Sequence, residues 1–169
     1  MATNAYEIAR SVLGQSIDMD GAYGAQCYDL ANYVASKFGI TFSGANAKDI
    51  ATDNPHASSV ADIFPFDPNN LQIGDMVTTT EDTQWGHVVF YGGGGANNAL
   101  VVDQNWNYVQ QVQEHRMDLV AHGANYIVRF RGQDNYKPSG NSGGPTSNNS
   151  KQMTTPALKL SALCTWHSA

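Results

Sequence analysis

Helical periodicity in this chain ends before residue 54, and strand patterning starts only at residue 75. "TNAYEIARSVLG" reads as an amphipathic helix. Thr3 or Asn4 can cap it, Ile8 and Val12 lie one turn apart, and Gly14 can end it. "CYDLANYVASKFG" repeats Leu30, Val34 and Phe38 at four-residue spacing and stops at Gly39. "NAKDIATD" adds a short helical turn. Pro55, Pro65 and Pro68 argue that residues 54–70 are mostly irregular. From there "DMVTTT", "GHVVFYG", "ALVVDQNW", "EHRMDLV" and "NYIVRFRG" are short β-branched or aromatic segments between turn residues. Helices first and strands afterwards is the order of an α+β domain, with N-terminal helices packed on a central antiparallel sheet.

With 169 residues and 41% hydrophobic composition, the chain can bury one core without disulfides. After Gly132 the composition turns to Ser, Asn, Gly and Pro. Residues 1–132 thus form the domain, 133–156 a flexible linker, and 157–169 a short tail with no domain of its own. The net charge is −6 and no Lys/Arg cluster occurs, which argues against nucleic acid as the main partner. No stretch approaches the roughly 18 apolar residues of a membrane span. Nor does the N-terminus carry a basic region followed by an apolar one. The expectation is a cytoplasmically made protein, monomeric, without membrane insertion.

The two cysteines sit in unlike contexts, Cys27 opening a helix and Cys164 in the tail, so no bridge between them is expected. A helix N-terminus favours a thiolate. Gln26, just before it, has an amide that can donate to a developing oxyanion. In "QWGHVVFYGG", His87 begins a strand, and Gly86 is read as leaving room beside the imidazole. His56, His115, His122 and His167 are read as structural. In "VVDQNW", Asp103 and Asn105 are two apart, so on a strand both face one side, and either can hydrogen-bond the far nitrogen of His87. Trp106 either walls the cleft or caps the core.

Asp18 and Asp20 precede Gly24 in a tight loop, and Asp29 follows in the first helical turn. Hard oxygen donors so spaced suit calcium, with the carbonyls of Ala22 and Gly24 filling further positions. The same residues also suit an ordinary polar loop followed by an acid that offsets the helix dipole.

Taken in order, "DGAYGAQCYDLANYV", "WGHVVFYGG" and "VVDQNW" resemble the CHAP domain, the cysteine, histidine-dependent amidohydrolase/peptidase family of phage and prophage endolysins. "GANAKD" and "LQIGDMV" extend the likeness across residues 5–132. The resemblance implies a papain-like fold and a peptidoglycan hydrolase that cuts an amide bond of the Gram-positive wall. The bond is either the N-acetylmuramoyl-L-alanine linkage or one within the peptides. It further implies Cys27 as nucleophile, His87 as general base, Asp103 as orienter and Gln26 at the oxyanion hole. The family often has Glu where this chain has Asp103, which keeps Asn105 open as the orienter. The likeness favours calcium on Asp18, Asp20, Ala22, Gly24 and Asp29. Specificity is expected in groove loops at residues 54–68 and 92–98, and release to the wall by a holin or by lysis. The alternatives are a non-catalytic, calcium-stabilised wall-binding module on a degenerate fold, and a general thiol peptidase.

Overall fold

The structure, a computed structural model, describes residues 4–139. Cys164, Trp166, His167 and most of the expected linker and tail lie outside them, as does Thr3. Helix α1 spans Ala5–Arg10 and is capped by Asn4, whose side chain accepts the Glu7 amide N–H at 3.0 Å. Helix α2 spans Cys27–Ser36. A 3₁₀ turn at Ala47–Asp49 leads into the four-residue α3, Ile50–Asp53. Six strands follow: β1 Ala61–Pro65, β2 Met76–Thr79, β3 His87–Gly93, β4 Ala99–Gln104, β5 Val112–Met117 and β6 Ala124–Phe130.

The strands form one antiparallel sheet in the order β1-β6-β2-β3-β4-β5. Their alternation builds two apolar layers. Val88, Phe90 and Val102 face α1 and α2, where Ala5, Tyr6, Leu30 and Val34 are buried. Val89, Tyr91, Val101 and Met117 face the other way, onto Leu119, Ile127 and Phe64. At Gly92 a Cβ would come within 2.2 Å of the Tyr6 ring, so the glycine lets α1 lie directly on β3. The fold is therefore the expected α+β arrangement.

Three sequence expectations change. Residues 54–70 are not mostly irregular: a 3₁₀ turn at Pro55–Ser59 leads into β1. Pro65 is tolerated because β1 is an edge strand and Pro65 is its last residue. The fifth strand starts earlier than "EHRMDLV" suggests, at Val112, because Val112 to Met117 pair in register with β4. Finally, the chain does not leave the body at Gly132. Gln133 is buried and accepts the Ala5 amide N–H, Tyr136 donates to Asp62, and the Lys137 amide donates to Gln72.

Candidate active site

Cys27 and His87 are each the first residue of an element, α2 and β3. Cys27 is a free, half-buried thiol, the one free cysteine among the described residues. Gln26 precedes it in extended conformation, and its backbone N–H donates to the Asp29 carboxylate at 2.8 Å. That bond fixes the entry of the chain into α2. His87 is 5% exposed. Its Nε2 lies 2.8 Å from Oδ2 of Asp103, which is fully buried on β4.

Of the two candidate partners, this contact belongs to Asp103. Asp103 holds the imidazole and Asn105 does not. Strand β4 ends at Gln104, and Asn105 adopts φ 65°, ψ 22°, so the two-residue alternation fails there. The Asn105 side chain instead donates to Oε1 of Gln26 at 2.8 Å. Nε2 of Gln26 donates to the Tyr23 carbonyl at 2.7 Å, which fixes the orientation of that amide.

The imidazole is strongly perturbed. Burial pushes its pKa down. Hydrogen bonding to Asp103 and to the Cys27 thiol outweighs burial, together with their charge, and raises the value to about 10. Asp103 shows the converse. Burial pushes it up, but hydrogen bonds from His115 and His87 hold it below the usual carboxylate range. The site thus favours an imidazolium beside an ionised carboxylate, with a thiol at the same ring.

Gly86 has a different reason from the one read in the sequence. It sits at φ +70°, and a Cβ there would meet the Thr79 carbonyl oxygen at 2.4 Å and Lys48 Cβ at 2.5 Å. The glycine lets β3 start against the backbone of β2 and the Lys48 turn. Room beside the imidazole is not the constraint.

His115, which the sequence reads as structural, reaches the same carboxylate: Nε2 lies 2.9 Å from Asp103 Oδ2. Its signal is the β4–β5 register, which places it opposite Val101 and on the Asp103 face. Spacing alone does not reveal that register. Trp106 fills the space between three imidazoles, with ring centroids 5.4 Å from His87, 5.3 Å from His115 and 5.1 Å from His122. It walls the histidine cluster. His122 pairs with Asp82, which also accepts from the Thr79 hydroxyl. His56 does not join this group; it contacts the Thr41 carbonyl.

The loop before α2 gathers its acids. One carboxylate oxygen from each of Asp18, Asp20 and Asp29 lies within 4.8 Å of the others. Asp18 accepts the Gly21 amide and Asp20 the Ala22 amide, each at 2.8 Å. Asp29 accepts from Met19 and Gln26. Burial chiefly raises the Asp29 pKa, and the charges of Asp20 and Asp18 push the same way against those two backbone bonds. Three hard oxygen donors gathered from the loop and the first turn of α2 fit a divalent cation such as calcium. Among the described residues no hydrogen bond reaches the carbonyls of Ala22 or Gly24.

The rim of the site is aromatic: Tyr23, Trp85 and Tyr108 are 93%, 55% and 86% exposed on the loops leading into or out of Gln26, His87 and Trp106. Of the expected groove loops, residues 92–98 sit at the far end of β3 from His87, about 20 Å away at strand rise. Residues 61–65 form the opposite sheet edge.

No protein-family model matches the chain. Its fold is similar to those of solved structures. Ly7917 matches with TM-score 0.60 and 18% identity, over 76% of this chain and 62% of that one. Ly7917 with the hydrolyzing product of MDP matches with TM-score 0.59 and 18% identity, over 75% and 61%. The wild-type endolysin LysIME-EF1 matches with TM-score 0.59 and 23% identity, over 78% and 64%. The chain thus spans less than two thirds of the length of each. Among the described residues, no helix is long and apolar enough to cross a membrane.

Proposed function

We propose that this chain is a peptidoglycan hydrolase of the CHAP type, an endolysin-like enzyme that cleaves an amide bond by thiol catalysis. One observation carries the reading. Cys27, His87 and Asp103, drawn from three separate segments, converge at one end of the sheet, with the imidazole hydrogen-bonded to Asp103 and its protonation coupled to the neighbouring Cys27. The fold neighbours add weight, since one is an endolysin and another was solved with the hydrolyzing product of MDP.

The chemistry follows from the groups. The Cys27 thiolate attacks the amide carbonyl carbon, and the carbonyl electron pair moves to oxygen. The Cys27 backbone N–H, at the start of α2, and the Gln26 side-chain amide are the available donors to that oxyanion. For the Gln26 amide this requires exchange of its bond to the Tyr23 carbonyl. As the tetrahedral species collapses, the His87 imidazolium gives its proton to the leaving nitrogen, leaving a thioester on Cys27. Neutral His87 then takes a proton from water, which attacks the thioester. The acid is released, and the thiolate–imidazolium pair is restored. Asp103 keeps the ring oriented throughout. The same steps serve a muramoyl-L-alanine amidase and a peptide-cleaving endopeptidase.

Calcium on Asp18, Asp20 and Asp29, with the Ala22 and Gly24 carbonyls as further donors, belongs to the same proposal. When bound it supplies charge compensation and pins the loop that leads into Cys27. The test is wall lysis: wild type should clear a suspension of purified Gram-positive walls, while Cys27→Ala and His87→Ala should not. Equal clearing by Cys27→Ala would overturn the thiol mechanism.

A further inference from the structure

The Asp103 carboxylate is shared by two imidazoles, and the sharing is uneven in an informative way. His87 Nε2 and His115 Nε2 both lie on Oδ2, at 2.8 and 2.9 Å. Oδ1 is buried and takes no hydrogen bond from any described residue. The second nitrogen of His115, Nδ1, lies 3.1 Å from the Arg116 carbonyl oxygen. A carboxylate and a carbonyl are both acceptors. For both contacts to be hydrogen bonds, both nitrogens of His115 must carry hydrogen, which makes the ring an imidazolium. We propose that His115 is a positioning residue for the base: a second, cationic imidazole that draws on Asp103 and limits how firmly the carboxylate holds His87 in its protonated form.

The consequence belongs to the second half of the reaction, so the proposal rests on the thiol-hydrolase reading. Thioester hydrolysis needs neutral His87 to accept a proton from water. A buried carboxylate serving His87 alone would keep the ring protonated more strongly, and a fixed positive charge on the same oxygen opposes that. The surroundings leave His115 well placed for this. From β4 it faces Asp103, and beyond that carboxylate His87 of β3. Trp106 stacks on its ring at 20° between planes and separates it from His122 and Asp82. Its β5 neighbours are occupied elsewhere: Glu114 accepts from Tyr6 and Arg10, and Arg116 donates to the Asn98 carbonyl. Burial pulls the His115 pKa down, but the Asp103 hydrogen bond and charge and the Arg116 carbonyl outweigh it, and the net shift is upward.

The test is ¹⁵N NMR of the histidine side chains, which does not depend on lytic activity. In the wild type at pH 7, both His115 nitrogens should show imidazolium shifts. A neutral-tautomer pattern there would overturn the proposal. In a Cys27→Ala background, where the thiol no longer acts on His87, its titration midpoint should rise by about one unit when His115→Gln is added. An unchanged or lower midpoint would also overturn it. Should His115→Gln fail to fold, the wild-type spectrum still decides. Absence of wall lysis with the expected spectra would instead count against the hydrolase reading.

Discussion

Gln104 reaches from the sheet into the turn that leads into Cys27, donating from Nε2 to the Gln26 carbonyl at 2.7 Å. The same amide donates to the Ile17 carbonyl at 2.7 Å and accepts the Ile17 N–H at 2.8 Å. Gln104 is fully buried and directly follows Asp103. One strand end therefore holds Asp103, the partner of His87, on one face and the backbone before Cys27 on the other. Gln104→Leu strands the Ile17 N–H and carbonyl and removes one donor from the Gln26 carbonyl, which the Asp29 and Leu30 amides still reach. A loss on the order of 3 kcal/mol is expected in urea melts, with kcat falling more than KM rises.

Asp103→Asn keeps the side chain's shape but removes the charge that holds His87. Wall-lytic kcat should fall about 10²-fold or more, while Asn105→Ala should cost far less. Turbidity kinetics of the two variants check this. Equal losses would return the orienting role to Asn105.

The same cluster fixes a pH dependence. His87 and His115 have folded pKa values above the ordinary 6.5, so their contribution to stability is complete below 6.5. For His87 it is lost as pH rises through about 10. Asp103 lies below its ordinary 3.8, so its contribution is present above 3.8 and lost as pH falls through the folded value. The Tm difference between wild type and Asp103→Asn should thus be largest from about pH 4 to 6.5 and shrink on both sides. A difference constant across pH would contradict the coupling.

Arg129 and Asp75 form a bidentate pair, at 2.7 and 2.8 Å, with both residues buried. Burial raises the Asp75 pKa more than Arg129 lowers it. Removing the cation alone should therefore be costly: about 3–5 kcal/mol for Arg129→Ala, with less for Arg129→Leu combined with Asp75→Leu. Denaturant melts of the two variants read the difference.

If calcium occupies the aspartate loop, adding it at about 100 times its Kd should stabilise the wild type by about 2.7 kcal/mol. Asp20→Asn should lose most of that gain. Thermal melts with calcium and with chelator measure it, and an equal gain in both proteins would place the ion elsewhere.

What the sequence made legible was what local chemistry encodes. The helix start at Cys27 and the strand start at His87 follow from capping and periodicity, and three short motifs carry the candidate site. Long-range register was hidden. Whether Asp103 or Asn105 meets His87 depends on where β4 ends, and a left-handed residue at 105 decides it. His115 joins the site only through the pairing of β5 with β4. The neighbour that requires Gly86 is hidden in the sequence, because Lys48 comes from a turn 38 residues earlier in the chain. Pro65 suppressed a strand that the edge of the sheet tolerates.

In the proposed reaction Cys27, activated by His87, opens amide bonds of the wall. Its most direct test is mass spectrometry of fragments released from purified Gram-positive peptidoglycan, by wild type and by Cys27→Ala. New amino and carboxyl termini at one defined amide linkage are expected with the wild type, and none with the variant. Intact amide bonds after wild-type digestion, or the same fragments from Cys27→Ala, would contradict it.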